Sequence, residues 1–411
     1  MHRKPQTLQR QHVVNPARAR RNEKTSNLSA FGASKREDVK AGGAPGSSRG
    51  AGVPASRVGL SEPTRQGRVQ PAVLRAARDV LVRAIDNGLF PAATVNVGSS
   101  NGALWQDAIG ASHNTLFDLA SLTKPIATGS IVMRLLAEDR MSLDDAVSSY
   151  FKEWTGDDRA VVTVRDLLEH ASGLSARLLD AAPPGRREFE HDICGMPLEY
   201  APRTRSIYSD LGFILLGFAV ADRTGATLDS QFRSLVAGIT ADLLFTPPHD
   251  MRERMAPTTA MAEDVRRGET LIGVVHDNYA AALGGVAGHA GLFGTADAVA
   301  SFARVVLRAA RGDNRMPAPF TPSLMRLFTT KSSVPGSSRA LAWDTMLPTS
   351  SCGTRMSASA FGHVGYAGTS LWIDPDRDRY FVLLTNRARG DGSLEAMRDV
   401  RRAFHDALAD L

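Results

Sequence analysis

The sequence predicts an α+β fold, a mixed α/β arrangement in which an antiparallel sheet is flanked by terminal helices and interrupted by an inserted, mainly helical subdomain. Three observations carry this expectation. An amphipathic helix stands near residue 70 and another closes the chain. Strand-like patterns are confined to the two regions just inside those helices. The long stretch between them, about residues 121–285, carries mainly helical signals.

Taken in order, Pro71 to Asn87 places Val73, Ala77, Val80, Leu81, Ala84 and Ile85 on one helical face, and Gly88 stops it. Ala92 to Val97 and Gly102 to Ile109 read as a hairpin. Within the insertion, Thr163 is an N-cap for Val164 to His170, which Ser172-Gly173 ends. Leu211 to Ala221 is the longest apolar stretch; it is too short to span a bilayer and reads as a buried helix, so no stable membrane insertion is expected. Strand signals return at His363 to Ile373 and Arg379 to Leu384, joined by the turn Asp374-Pro375-Asp376-Arg377-Asp378. Leu394 to Leu411 closes as a helix, and a site is expected at the seam between sheet and helical part.

With 411 residues, 43% of them hydrophobic, the chain can bury a substantial core. The net charge of +6 is unevenly spread: residues 1–68 hold 14 Lys and Arg against 4 Asp and Glu, a net of +10, which leaves −4 for the remainder. That first segment is rich in Ser, Gly, Ala and Pro without sustained periodicity. It is expected to be a disordered basic tail ahead of one folded domain, 69–411. A single-stranded nucleic-acid binder interleaves aromatic residues with its charges, and only Phe31 is present, so no nucleic-acid partner is expected. The apolar run of a secretory signal is missing, so the chain as it stands is expected to be cytoplasmic, and periplasmic or secreted if its true start differs. Cys194 and Cys352 fit no metal spacing; they read as reduced thiols, with a disulfide between them left open.

The most informative stretch is Ser121-Leu122-Thr123-Lys124. Positions i and i+3 share a helix face, so a neutral Lys124 amine can take the proton of the Ser121 hydroxyl and make a nucleophile. Pro125 suits a first helical turn, which would set Ser121 at a helix N-terminus where developing negative charge is favoured. Such a tetrad occurs by chance in a chain of this length, where a Ser N-cap and a solvated Lys are the bland alternative. Two further motifs follow it. Tyr208-Ser209-Asp210 sets a phenol two residues from a short polar group, as a proton shuttle beside a hydrogen-bonding group requires. Alone it reads as an anchor and an N-cap. His363-Val364-Gly365 lies on a strand-like segment, Phe361 to Ile373, where glycine allows a ligand close to the backbone and the next N–H, on Tyr366, is free to meet an oxyanion. A lone His on a strand is more often structural.

Together the three motifs resemble the penicillin-recognising serine hydrolases, the superfamily of β-lactamases, penicillin-binding proteins and related esterases, whose signature is S-x-x-K, Y-x-N, then K-T-G or H-x-G. The intervals, 87 residues from Ser121 to Tyr208 and 155 more to His363, agree with that order. So do Phe117 to Ala120, Leu167 to Leu174, Tyr208 to Phe213, Gly284 to Phe293 and Gly362 to Ser370, and the resemblance covers about residue 70 onward. It implies a β-lactamase/transpeptidase-like fold and an acyl-enzyme mechanism without metal or cofactor. The substrate it implies is a small molecule or a peptidoglycan-type peptide: a D-alanyl peptide, a β-lactam or a small ester. It makes Ser121 the nucleophile, Lys124 its base and Tyr208 the proton relay, with the Ser121 and Tyr366 N–H groups as oxyanion hole and Asp210, His363, Gly365 and Tyr366 lining the substrate. Asp210 stands where most relatives have Asn and His363 where many have Lys, departures that weigh against strong β-lactamase activity and resemble the carboxypeptidase-like and esterase branch. With a reference pKa of about 6.5, His363 is expected to hold a substrate carboxylate only while cationic, so that anionic substrates lose kcat/KM between about pH 6 and 8 relative to a neutral ester, unless Asp210 lies close enough to keep His363 protonated.

Other patterns lead nowhere. Gly98 to Gly102 and Gly46 to Gly50 match G-x-S-x-G without the strand-turn-helix setting a nucleophile elbow needs. Asp374, Asp376 and Asp378 lack the rest of a calcium loop, and His276, His289 and His363 are too scattered for a metal. The alternative from another class is a catalytically silent ligand-binding module on the same fold, which has no need to keep Ser121, Lys124 and Tyr208 together.

Overall fold

The main sheet takes its strands from the two ends of the chain and the helical layer comes from the middle, in a computed structural model that describes residues 65–178 and 181–411. The expected basic tail, as far as residue 64, lies outside the described residues. In chain order, α1 (Arg65–Asp86) leads into the hairpin β1 (Ala93–Ser99) and β2 (Gly102–Ile109), then the short β3 (Phe117–Asp118). The helical part holds α2 (Ser130–Ala137), α3 (Val164–Leu168), α4 (Arg186–Gly195), α5 (Asp210–Thr224) and α6 (Leu228–Val236). The two-stranded and three-stranded pieces β4 (Leu243–Phe245), β5 (Thr258–Thr259), β6 (Thr270–Leu271) and β7 (Leu292–Gly294) follow, with α7 (Asn278–Ala282) among them. Next come α8 (Ala296–Ala310), α9 (Pro322–Thr329), β8 (Asp344–Thr345), β9 (Phe361–Val364), β10 (Ser370–Asp374), β11 (Arg379–Thr385) and α10 (Leu394–Ala407).

The six-stranded sheet runs β2-β1-β11-β10-β9-β8, every neighbour antiparallel. Its register runs from Ala93 opposite Thr385 through Gly98 opposite Tyr380, and both strands are buried on both faces, all along β1 and from Tyr380 onward in β11. One face carries Val95, Val97, Phe381 and Leu383 against Ala77 and Leu81 of α1 and Met397 and Phe404 of α10. The other sets Tyr380, Val382 and Leu384 against Val299, Phe302 and Ala303 of α8. There the buried Asn96 is satisfied twice, donating to Asp297 of α8 and accepting from the Tyr380 hydroxyl. Cys194 and Cys352 are separate buried thiols whose pKa burial pushes up to about 12.

Three elements differ from the expectation. The segment Phe361 to Ile373 is two strands joined by a reversal, not one: Gly365 N–H donates to Thr369 O, Gly368 N–H donates to Gly365 O, and Gly368 has the positive φ of 112° that a side chain resists. The helix expected at Ser121 starts as a single 3₁₀ turn, Ala120–Leu122, passes through a π turn, Lys124–Gly129, and becomes α-helical only at Ser130. Pro125 has no N–H to give the Ser121 carbonyl, so the α ladder cannot begin there. The Val164 helix stops at Leu168, and His170 is left-handed with φ 55°. Its start follows the expectation, with the Thr163 N–H and hydroxyl both donating to Asp166.

Helix α5 is buried on every side, is capped by the Ser209 hydroxyl accepting from Gly212 N–H, and ends at left-handed Gly225. Its Gly217 backs onto Gly288: a Cβ on Gly217 would stand 2.9 Å from Gly288 N, and one on Gly288 would collide with the Phe213 carbonyl oxygen. Gly288→Ala is therefore expected to cost about 1–3 kcal/mol of overpacking, read as a lowered Tm, and to shift the adjacent His289 carbonyl. A parental Tm in a thermal melt would show that the contact yields without strain.

Candidate active site

Ser121 is carried on a strained turn. Ala120 before it has φ 49°, an unfavourable value for a residue with a Cβ, and the structure holds it by its own neighbours. The Asp118 carboxylate accepts from Ala120 N–H at 2.8 Å and from His276 N–H at 2.7 Å, the Thr123 hydroxyl donates to Ala120 O at 2.6 Å, and Leu119 N–H donates to Leu292 O. Burial raises the Asp118 carboxyl to about 6, although both N–H bonds favour its ionised form. The result leaves Ser121 part-exposed at the rim while Thr123 and Lys124 are fully buried beneath it.

The Lys124 ammonium has three partners: Ser121 Oγ at 3.1 Å, Asp210 Oδ1 at 2.8 Å and the His289 carbonyl at 3.1 Å. Burial acts to lower its pKa, but Asp210 and Tyr208 raise it more, and the net shift is upward. Lys124 is thus a cation at neutral pH, and the neutral form that can take the Ser121 proton is the minor one. The reason is Asp210 itself. Burial acts to raise its carboxyl, yet Lys124 and other cations hold it below the ordinary carboxylate range. Its second oxygen accepts from Arg177 at 2.8 Å, and Arg177 also donates to Asp277 at 3.0 Å and to Asn278 at 2.6 Å. Asp277 is in turn 2.8 Å from His289 Nε2. Opposite charges alternate from Lys124 to Asp277, so the extra negative charge of Asp210 is matched inside the protein.

Tyr208 donates to Ser121 Oγ at 2.7 Å. Burial raises its pKa despite nearby Lys124, so it is a phenol at neutral pH. Its ring is boxed in by the His170 ring at 4.6 Å, the His363 ring at 5.9 Å, Lys124 Nζ at 4.8 Å and the Arg339 guanidinium at 5.2 Å. His363 is buried, and burial followed by the charges of Arg339 and Lys124 drives its pKa well below 6.5. It stays neutral across the physiological range, with Nδ1 2.9 Å from its own Val364 carbonyl, so the expected loss of a cationic imidazole between pH 6 and 8 does not apply. Among the described residues Asp210 makes no hydrogen bond to His363; its oxygens accept from Lys124 and Arg177.

Gly365 lies against the turn bearing Ser121, where any Cβ would press on Leu119 O and Ala120 Cβ. The Tyr366 side chain stacks on His276 at 5.5 Å and under the Arg387 guanidinium at 4.5 Å. Ser121, Lys124, Tyr208 and Asp210 are thus joined by direct hydrogen bonds. His363 reaches them through ring packing, and Gly365 with Tyr366 by backbone proximity. The sequence reading missed Arg177, Asp277 and Arg339. Arginine is frequent throughout the chain and none of the three sits at a diagnostic spacing; His289 lay inside a matched segment but was weighed only as a metal ligand.

The β-lactamase family model matches residues 82–405. A putative D-alanyl-D-alanine carboxypeptidase of Escherichia coli (strain K12) is 31% identical over 322 residues, 69% of this chain and 72% of that protein. An N-acetylmuramyl-L-alanine amidase of Bacillus subtilis (strain 168) is 32% identical over 306 residues, covering 66% and 68%. In fold the chain is similar to EstCE1, a hydrolase with promiscuous acyltransferase activity (TM-score 0.67, 18% identity, 83% of this chain and 100% of that one), and to a penicillin-binding protein homolog from Caulobacter crescentus (TM-score 0.64, 21% identity, 82% and 98%).

The ion pair makes a prediction about pH. Asp210→Asn removes the largest influence raising the Lys124 pKa, so the neutral amine appears at lower pH, and the rise of acylation rate with pH should move in the acid direction. Stopped-flow acylation by a chromogenic ester from pH 6 to 10 measures it. An unmoved profile would show that Asp210 does not set the charge of Lys124.

Proposed function

The chain belongs to the β-lactamase family, and from that premise we propose that it is a serine hydrolase acting through an acyl-enzyme on an amide whose leaving group carries a carboxylate, the class to which D-alanyl peptides belong. The observation that carries the choice of substrate is Arg339. Its side chain is part-buried and, among the described residues, its guanidinium donates no hydrogen bond and its one acidic partner, Asp344, is 3.9 Å away. It stands 5.2 Å from the ring of Tyr208, whose hydroxyl touches Ser121. A guanidinium with free donors beside the group that protonates the leaving amine suits a carboxylate on that amine, since its fork matches carboxylate geometry. His363, neutral and buried, does not supply that charge.

In this reading Ser121 Oγ attacks the carbonyl carbon and the C–N bond breaks. At neutral pH Lys124 is an ammonium and Tyr208 a phenol, so acylation uses the form of this pair with one proton fewer. The Ser121 proton passes to that pair, and Tyr208 delivers a proton to the departing nitrogen. Water then attacks the ester, its proton following the reverse route to the pair and the serine oxygen recovering its own. The Ser121 and Tyr366 N–H groups face the carbonyl oxygen as charge develops on it; among the described residues the Tyr366 N–H donates to no backbone or side-chain acceptor. A silent binding module would gain nothing from a hydroxyl held by both an amine and a phenol.

A fluorophosphonate should label Ser121 alone, and Ser121→Ala should abolish the label; label retained in that variant would sink the nucleophile assignment. Arg339→Gln should raise KM for a substrate ending in a free carboxylate by roughly 10- to 100-fold, the worth of a hydrogen bond to a charged group, while the amidated analogue keeps its kcat/KM. Equal effects on both substrates would remove the carboxylate reading and favour uncharged esters.

A further inference from the structure

The reversal between β9 and β10 that presents Tyr366 is gripped from behind by two arginines. Arg401 of α10 is buried, and its Nη2 donates to Gly365 O at 2.8 Å and Thr369 O at 3.0 Å. It has no acidic partner among the described residues, and its Nε is buried without an acceptor. Burial and neighbouring Arg387 bring its pKa down to about 9, which leaves it a cation at neutral pH. Arg387 donates through Nε and Nη2 to Tyr366 O at 2.9 and 2.6 Å. A buried cation without a counter-charge is a poor stabilising device, since its desolvation is repaid only by carbonyl dipoles.

Those carbonyls are informative. Gly365 C=O and Tyr366 N–H belong to the same peptide group, which is planar and trans, so the two bonds point in opposite directions. A donor that holds the Gly365 oxygen on the α10 side therefore aims the Tyr366 N–H the other way. Arg387 does the same for the following peptide through Tyr366 O. Both peptide planes on either side of Tyr366 are thereby set before any ligand arrives, the first by Arg401 together with the weaker, 3.1 Å bond from Gly368 N–H to the same Gly365 oxygen. A cation on a carbonyl oxygen also polarises its peptide and makes the N–H a stronger donor. The turn is tied to the nucleophile's segment by the Thr369 hydroxyl donating to Leu119 O at 2.9 Å, two residues before Ser121.

Resting on the reading of Tyr366 N–H as an oxyanion donor, we infer that Arg401 is a positioning residue that presets this peptide plane for the tetrahedral intermediate. It touches neither substrate nor reacting atoms. Its loss should weaken binding of the transition state and spare that of the ground state, which separates it from a residue that only supports the fold.

The test compares Arg401→Met and Arg401→Gln with Tyr366→Pro, which deletes the N–H itself. Rates are normalised to sites titrated to completion with a fluorophosphonate, so partial unfolding does not count as lost catalysis. Arg401→Met is expected to lower kcat for acylation by roughly 10- to 1,000-fold, up to the worth of one oxyanion donor, with KM within a few-fold of the parent. Affinity for a phenylboronic acid, which becomes a tetrahedral anion on Ser121, should fall in parallel. The double variant Arg401→Met/Tyr366→Pro should be no slower than Tyr366→Pro alone, because both remove one device. If Tyr366→Pro leaves acylation unchanged, the oxyanion reading itself fails. If Tyr366→Pro is slow while Arg401→Met and Arg401→Gln, per titrated site, keep the parental kcat and boronate affinity, the positioning role is overturned and the oxyanion reading stands.

Discussion

The buried contact between Lys124 and Asp210 is the constraint around which the rest is arranged. Removing two charges from water is costly, and a pair in the interior is tolerated only if every remaining donor and acceptor finds a partner. Here each does: Lys124 spends its three N–H groups on Asp210, Ser121 and His289 O, and Asp210 spends its second oxygen on Arg177. Taking away one member strands the other, at a cost of about 3–5 kcal/mol. The raised pKa of Lys124 means its share of the stabilisation is complete below the ordinary ammonium range and lost as pH climbs through the shifted value. The lowered pKa of Asp210 means its share is complete above the ordinary carboxylate range and lost as pH falls through its own. Between those limits the pair is an invariant anchor.

Because that charge is fixed, polarity around the hydroxyl of Ser121 has to be managed by neutral groups. Two buried imidazoles, His170 and His363, flank the Tyr208 ring without adding charge, their pKa values held well down by burial and by Arg339. A cationic histidine at either position would add repulsion to a pocket that already contains Lys124 and Arg339. The phenol is thereby confined by shape, with the Arg339 guanidinium 5.2 Å from its ring.

Much of this was legible from residue order. Period-two and period-3.6 patterns gave the β1–β2 hairpin, the α1 and α10 faces and the core helix α5, because each buries one face or all faces against a single partner layer. Ser121, Lys124 and Tyr208, which the fold joins by hydrogen bonds, stood out only because three separately weak motifs occur together in the order of one family. What escaped was geometry that depends on a missing atom or a distant partner. Pro125 withholds one N–H and turns an expected α-helix into 3₁₀ and π turns. Gly368 permits a reversal inside what reads as one strand. The charge states of Lys124 and His363 are set by residues far away in sequence, such as Asp210 and Arg339, and no local pattern encodes a pKa.

The register of β1 on β11 has a consequence for synthesis. Ala93 finds Thr385 only after nearly the whole chain has been made, and pairings of such separation close slowly because the intervening segment must first be ordered. Ser121, Lys124 and Tyr208, with the Asp210 and His289 groups that bond to Lys124, all lie before residue 290. The turn bearing Tyr366, and the arginine of the last helix that grips it, arrive at the end. In a growing chain the turn bearing Tyr366 therefore lacks the grip of Arg401 until the final helix has docked.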